Sequence, residues 1–216
     1  MAEELAGFKH RFVAGSGQEG ATLLLLHGTG GSEHDLLPLG RELLPGADLL
    51  SPRGKVLEHG MRRFFCRLAE GVFDEEDLTF RTEDLAGFVE EASKKYRLEL
   101  GKLFAVGFSN GANIAASLLL SRPDLLRGAV LLRPMVPFEP EALPDLSGVR
   151  VFVGAGELDH MVPRENTDRL LELLEDAGAE IQARWQRTGH GLAREEVDEA
   201  KRWLSHAVHG ETTSIG

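Results

Sequence analysis

Leu103-Phe104-Ala105-Val106-Gly107-Phe108-Ser109-Asn110-Gly111-Ala112 changes character twice within a short span. A continuous apolar run of strand length leads into Gly-x-Ser-x-Gly, and from Ala112 onward the apolar residues recur at helical spacing. A serine on so tight a strand-to-helix turn is held in a strained backbone conformation, with its hydroxyl pushed out beyond the sheet. Bulky residues two positions to either side would collide with the neighbouring strand and helix. Glycine at 107 and 111 removes that collision. The stretch therefore predicts a nucleophile elbow at the C-terminal end of a buried strand.

Apolar runs of the same kind lie at 22–26, 47–50, 129–132, 149–153 and 181–185, besides 103–106 itself. Helical periodicity is found over 36–44, 82–96, 112–120, 165–177 and 195–207. Strands without polar alternation, separated by amphipathic helices, predict an α/β fold in which a mostly parallel central sheet is covered by helices on both faces. Pro123 and Asp124 stop the third helix and Gly178 caps the fourth. No repeat or Pro-rich linker divides the 216 residues, so one domain over 1–216 is expected, with a frayed tail over 210–216. Residues 51–77 show no clean period and form a longer connection than usual, and are expected to act as a loop or cover over the active site.

Hydrophobic residues make up 42% and charged residues 27%, the balance of a water-soluble globular chain, and no apolar run approaches the length of a membrane span. A formal charge of −11 argues against nucleic acid and against anionic membrane surfaces. Met1-Ala2-Glu3-Glu4 is acidic where a secretory signal would be basic, and the single cysteine, Cys66, cannot form an internal disulfide. A cytoplasmic location without membrane insertion is expected.

A serine hydroxyl becomes a nucleophile at neutral pH when an imidazole accepts its proton and a carboxylate holds that imidazole. On a fold of this kind the three follow in the order serine, acid, histidine. Beyond Ser109 the histidines are His160, His190, His206 and His209. His206 and His209 sit on the terminal helix and tail, and His160 adjoins the best acid. Gly189-His190-Gly191 lies between the last strand and the last helix, where a base is required. For the acid, Asp159 is preferred to Glu157, both following the strand over 149–153. His27-Gly28-Thr29-Gly30-Gly31 lacks the lysine and hydroxyl residue of a phosphate loop. Its glycines instead let a backbone amide approach a reacting carbonyl, so the Thr29 and Asn110 amides are the expected oxyanion hole. Phe64, Phe65 and Phe73, within the cover segment, are candidate substrate-binding aromatics. Arg53, Arg62 and Arg63 either favour anionic substrates or, as the preferred reading, pair with Asp74, Glu75, Glu76 and Asp77.

Taken together, His27 to Gly31, Gly107 to Gly111, Asp159-His160-Met161-Val162-Pro163 and Gly189-His190-Gly191 resemble the phospholipase/carboxylesterase family of α/β-hydrolase fold, which includes the acyl-protein thioesterases. Ser51-Pro52-Arg53-Gly54 and Gly60-Met61 extend the likeness, which runs from about Leu23 to Leu204. The resemblance implies a serine carboxylesterase of broad range acting on small-molecule esters, with Ser109, Asp159 and His190 as triad. It implies neither a metal nor an organic cofactor, and suggests a homodimer. The thioesterases usually carry leucine and glutamine where Thr29 and Asn110 stand, which places the chain nearer the bacterial carboxylesterases. An acyl-protein thioesterase or lysophospholipase using the same triad is the second reading, and a catalytically silent binding module the third. A dienelactone-type hydrolase would want cysteine in the elbow.

Overall fold

The computed structural model describes residues 3–17, 20–69 and 71–210. An eight-stranded sheet forms its centre. The strands in chain order are β1 (Glu3–Leu5), β2 (Phe8–Val13), β3 (Thr22–Leu26), β4 (Asp48–Pro52), the short pairs β5 (Val56–Glu58) with β6 (Met61–Arg63) and β7 (Arg67–Ala69) with β8 (Val72–Phe73), then β9 (Leu103–Phe108), β10 (Gly128–Leu132), β11 (Arg150–Gly156) and β12 (Glu180–Gln186). The helices are α1 (Leu37–Leu43), α2 (Glu75–Tyr96), α3 (Asn110–Ser121), α4 (Arg164–Asp176) and α5 (Arg194–His209). In space the sheet runs β1-β2-β4-β3-β9-β10-β11-β12. It is parallel from β4 to β12, while β1 and β2 are antiparallel at one edge.

The apolar strands divide their side chains by the two-residue period. Leu24, Leu26, Ala105, Leu131 and Val153 pack beneath α2, α3 and α4, whereas Leu23, Leu25, Val106, Leu132 and Phe152 pack beneath α1 and α5. Each fully buried leucine contributes about 1.5–3 kcal/mol relative to exposure. That two-sided burial is why these strands read as unbroken apolar runs. The edge strand β12 is only partly covered, and its Glu180 and Arg184 are exposed.

All six expected strands and all five expected helices are present. The structure adds the β1–β2 hairpin. Its period is masked because the inward position next to Phe8 is His10, buried with its Nε2 2.7 Å from the Tyr96 hydroxyl. The helix expected over 82–96 begins earlier, at Glu75. Asp74 caps it by accepting the Asp77 N–H, and Glu75, Glu76 and Asp77 complement the positive end of the helix dipole. Acidic turns that read as loop are thus the start of a helix. The expected frayed tail lies, beyond Gly210, outside the described residues.

Strand order places the site. From β3 the chain crosses to β4 on one side, and the strand bordering β3 on the other side is β9. The loops after β3 and β9 therefore diverge from adjacent C-terminal strand ends, the crevice where open α/β sheets bind ligands.

Candidate active site

Ser109 joins β9 to α3 with φ 52° and ψ −116°, a conformation rare outside glycine. Its N–H donates to the Leu132 carbonyl at 2.8 Å, which fixes the turn against β10. The flanking glycines are required by space. A Cβ at 107 would lie 2.4 Å from the Gly111 carbonyl oxygen, and one at 111 would lie 1.9 Å from that of Leu26.

The loop after β12 brings His190 over the serine, with Nε2 2.9 Å from Ser109 Oγ. On its other side Nδ1 stands 2.8 Å from Asp159 Oδ2. The ionised carboxylate only accepts, so Nδ1 carries the proton and donates it, leaving Nε2 as the acceptor for the serine hydroxyl. Asp159 lies in the turn after β11 with its side chain only 1% exposed, and its Oδ1 accepts the N–H groups of Met161 (2.8 Å) and Val162 (3.2 Å). Glu157 is an exposed neighbour and takes no part.

Thr29 and Asn110 both line the cavity beside Ser109, and neither amide has a hydrogen-bond partner among the described residues. The loop that carries Thr29 is clamped by β6. The Gly30 N–H donates to the Arg62 carbonyl at 2.8 Å, and Arg63 Nη1 donates to Thr29 Oγ1 at 2.7 Å. Beneath it, His27 Nε2 accepts the Gly54 N–H at 3.0 Å while Nδ1 lies 2.7 Å from the Gly28 carbonyl. Burial pushes the His27 imidazole below its ordinary range, since no water can solvate the cation there.

A cavity of about 400 Å³ opens onto Ser109 and His190. Its apolar wall is made by Met61, Phe73, Phe108, Met135, Met161 and Val162, and Arg63, Arg67 and Arg133 also reach it. Of the three candidate aromatics, only Phe73 lies on the cavity. Phe64 and Phe65 are 2% and 0% exposed and belong to the core, a correction to the expectation from sequence. Phe65 supports Phe73 edge-on with 5.0 Å between ring centroids, and the Phe64 N–H donates to Asn110 Oδ1 at 2.7 Å. Which aromatics of an irregular segment turn into the core is set by the packing around it, and composition does not reveal that.

The expected arginine pairs are also redrawn. Arg53 makes a two-point ion pair with buried Glu33, Arg63 bonds Thr29 and the Phe65 carbonyl, and Asp77 instead accepts from Cys66 N–H and Arg81. Burial and the bonded Asp77 carboxylate push the Cys66 thiol up, so it stays protonated and unreactive.

Arg133, Thr188 and Glu196 are partners that sequence reasoning missed. A charged residue directly after the apolar run of β10 was the available signal. Arg133 is 1% exposed, adopts φ 58°, and bonds Glu196 through Nη1 (2.5 Å) and Nη2 (3.0 Å).

A model of the phospholipase/carboxylesterase family matches residues 9–208. The chain belongs to that family. It is an ester hydrolase, and bacterial carboxylesterases are among the proteins it resembles. The protein named "Putative hydrolase MhqD" of Bacillus subtilis (strain 168) is 50% identical over 200 residues, covering 93% of this chain and 99% of that protein. The carboxylesterase of Bacillus cereus is 49% identical and superimposes with a TM-score of 0.90 over 93% of this chain and 94% of its own. That of Mesorhizobium loti is 34% identical, with a TM-score of 0.85 over 94% and 96%. No helix among the described residues is long and apolar enough to cross a membrane.

Proposed function

We propose that this family member is a serine carboxylesterase acting on small to medium carboxylic esters, with Ser109 as nucleophile, His190 as general base and Asp159 as the carboxylate that orients it. The hydrogen-bonded line from Ser109 Oγ to His190 Nε2 (2.9 Å) and from His190 Nδ1 to Asp159 (2.8 Å) carries the reading.

Ser109 Oγ attacks the ester carbonyl carbon as His190 Nε2 takes the hydroxyl proton. The electron pair displaced from the carbonyl settles on its oxygen, where the idle amides of Thr29 and Asn110 donate to it. Removing one such donor typically costs about 3 kcal/mol of transition-state stabilisation. Collapse breaks the bond to the alcohol, and His190 returns the proton to the departing oxygen. Water then loses a proton to His190, attacks the acyl-enzyme and releases the acid, restoring Ser109. Asp159 holds the useful tautomer throughout and compensates the imidazolium.

The cavity limits the acyl group. A volume of about 400 Å³ with methionine, valine and phenylalanine walls suits a compact apolar group. The test is hydrolysis of p-nitrophenyl esters from acetate to palmitate by the native protein and by Ser109→Ala. A short-chain preference with burst kinetics, lowered on the order of 10⁴- to 10⁶-fold by the substitution, is expected. Undiminished activity in Ser109→Ala would remove the nucleophile, and a preference for long-chain thioesters would replace the carboxylesterase reading with a thioesterase one.

A further inference from the structure

Outside the three proposed catalytic side chains, the most heavily bonded charged group near the cavity is Arg133. It stands at the C-terminal end of β10 in the left-handed region, a conformation that persists in a non-glycine residue only where the surroundings over-determine it. Its N–H donates to the Gly154 carbonyl at 2.8 Å, which turns the side chain toward the loop carrying His190. There Nε donates to the Gly189 carbonyl (3.2 Å), and Nη2 donates to the Gly191 carbonyl (2.6 Å) and to Thr188 Oγ1 (3.1 Å). The guanidinium thus grips the carbonyls on both sides of His190. Nε also lies 4.0 Å from Asp159 Oδ2, the oxygen that accepts from His190 Nδ1.

Glu196 fixes the guanidinium from behind. Both residues are fully buried, and Glu196 accepts from two guanidinium nitrogens and from the Ala193 N–H. Space for the pair is cut into β11. A Cβ at 154 would sit 2.1 Å from Glu196 Oε1, and one at 156 would meet the Gly189 and Thr188 carbonyl oxygens at 2.5 and 2.6 Å and Arg133 Nε at 3.3 Å.

We propose that the buried Arg133–Glu196 pair is the positioning device for the base: Arg133 clamps residues 188–191 from within and thereby holds the His190 ring at hydrogen-bond distance from both Ser109 and Asp159. The loop itself is irregular backbone, ending at Ala193 where α5 begins, and His190 is 22% exposed. A ring on such a loop would otherwise sample positions in which Nε2 no longer faces the serine. A planar fork with several fixed donors can bridge two carbonyls, whereas an ammonium group cannot do so in one plane. The inference rests on His190 being the base and goes beyond it by assigning the group that places it.

The experiment compares native protein, Ser109→Ala, Arg133→Lys and the double variant Arg133→Met/Glu196→Gln, which removes both charges of the pair together. For each, kcat and KM on p-nitrophenyl acetate are measured beside the melting temperature and the low-field proton resonance of the His190–Asp159 hydrogen bond. Misplacing a reacting group by a fraction of its bond length to the substrate is costly, so kcat should fall about 10- to 100-fold in the double variant. KM should stay within about threefold, because the cavity wall is otherwise intact, and the low-field resonance should broaden or vanish. Arg133→Lys keeps the ion pair and the fold but loses the bridge, and should show the same kcat loss in smaller measure. If a folded Arg133→Lys or double variant keeps native kcat and the resonance while only its melting temperature drops, Arg133 is structural and the proposal is overturned. Activity surviving in Ser109→Ala would count against the triad reading itself, so the two failures are told apart.

Discussion

The two walls of the cavity are built differently. On one side the C-terminal ends of β9, β10 and β11 hold Ser109, Arg133 and the turn to Asp159 against a sheet with almost no spare volume, where glycine is required because backbone passes within a Cβ's reach. On the other, β5 pairs with β6 and β7 with β8 in two short antiparallel sheets whose outer face exposes Leu57, Leu68 and Val72, and only selected side chains reach inward. Under the proposed function, chemistry that tolerates no error beyond a fraction of an ångström falls to the first wall, and the shape of the acyl site to the second. A tightly packed scaffold transmits any displacement, whereas short hairpins can vary without disturbing it.

The comparison breaks most severely at the elbow. Gly111→Ala drives a Cβ into the Leu26 carbonyl and should destabilise the protein by about 3 kcal/mol or more, with esterase activity lost. Urea unfolding and soluble yield would measure it. A milder result would mean that α3 can shift away from β3 and that the elbow is less confined than its contacts indicate.

Within the cover segment, Phe65 and Phe73 separate core from cavity. Phe65→Ala should cost about 3–5 kcal/mol, because the ring is fully buried. Phe73→Ala should cost about 1–2 kcal/mol and shift the ester-length preference toward longer acyl groups, as read from kcat/KM across the p-nitrophenyl series.

His27 joins the two walls, and its charge state tests the joint. Its folded-state imidazole is lowered by burial, with the Gly28 carbonyl opposing, and His10 is lowered by burial too. The unfolded chain therefore binds protons first, near pH 6.5, so this contribution is complete above that pH and is lost as pH falls below it toward the lower folded value. Denaturant midpoints should drop from pH 7.5 to pH 5.5, and His27→Gln should flatten that slope. Leu68→Ser marks the small end: at 72% exposure it should change stability by no more than about 0.5 kcal/mol.

Much of this was readable in advance because local rules agreed with the final environment. The strand 103–106, the glycines at 107 and 111 and the helix behind them are one continuous local instruction, and His190 and Asp159 were reachable by their order along the chain. The same local logic missed β2, where buried His10 replaces an apolar residue, and the first turns of α2, where acidic residues are helical because Asp74 caps them. It also missed the mutual roles of neighbouring aromatics, since Phe64 and Phe65 face the core and Phe73 the cavity.

Period, turn chemistry and chain order are encoded locally, and they suffice to specify the α/β architecture, the elbow and the three residues aligned at 2.9 and 2.8 Å. Which side chains line the cavity, and where each arginine finds its partner, depend instead on contacts between distant parts of the chain. Arg133 lies 63 positions from Glu196 and 55 to 58 from the loop it grips, and Arg63 lies 34 from Thr29. Such pairings are set by strand order and by the space left between packed elements, and no sequence window carries that information.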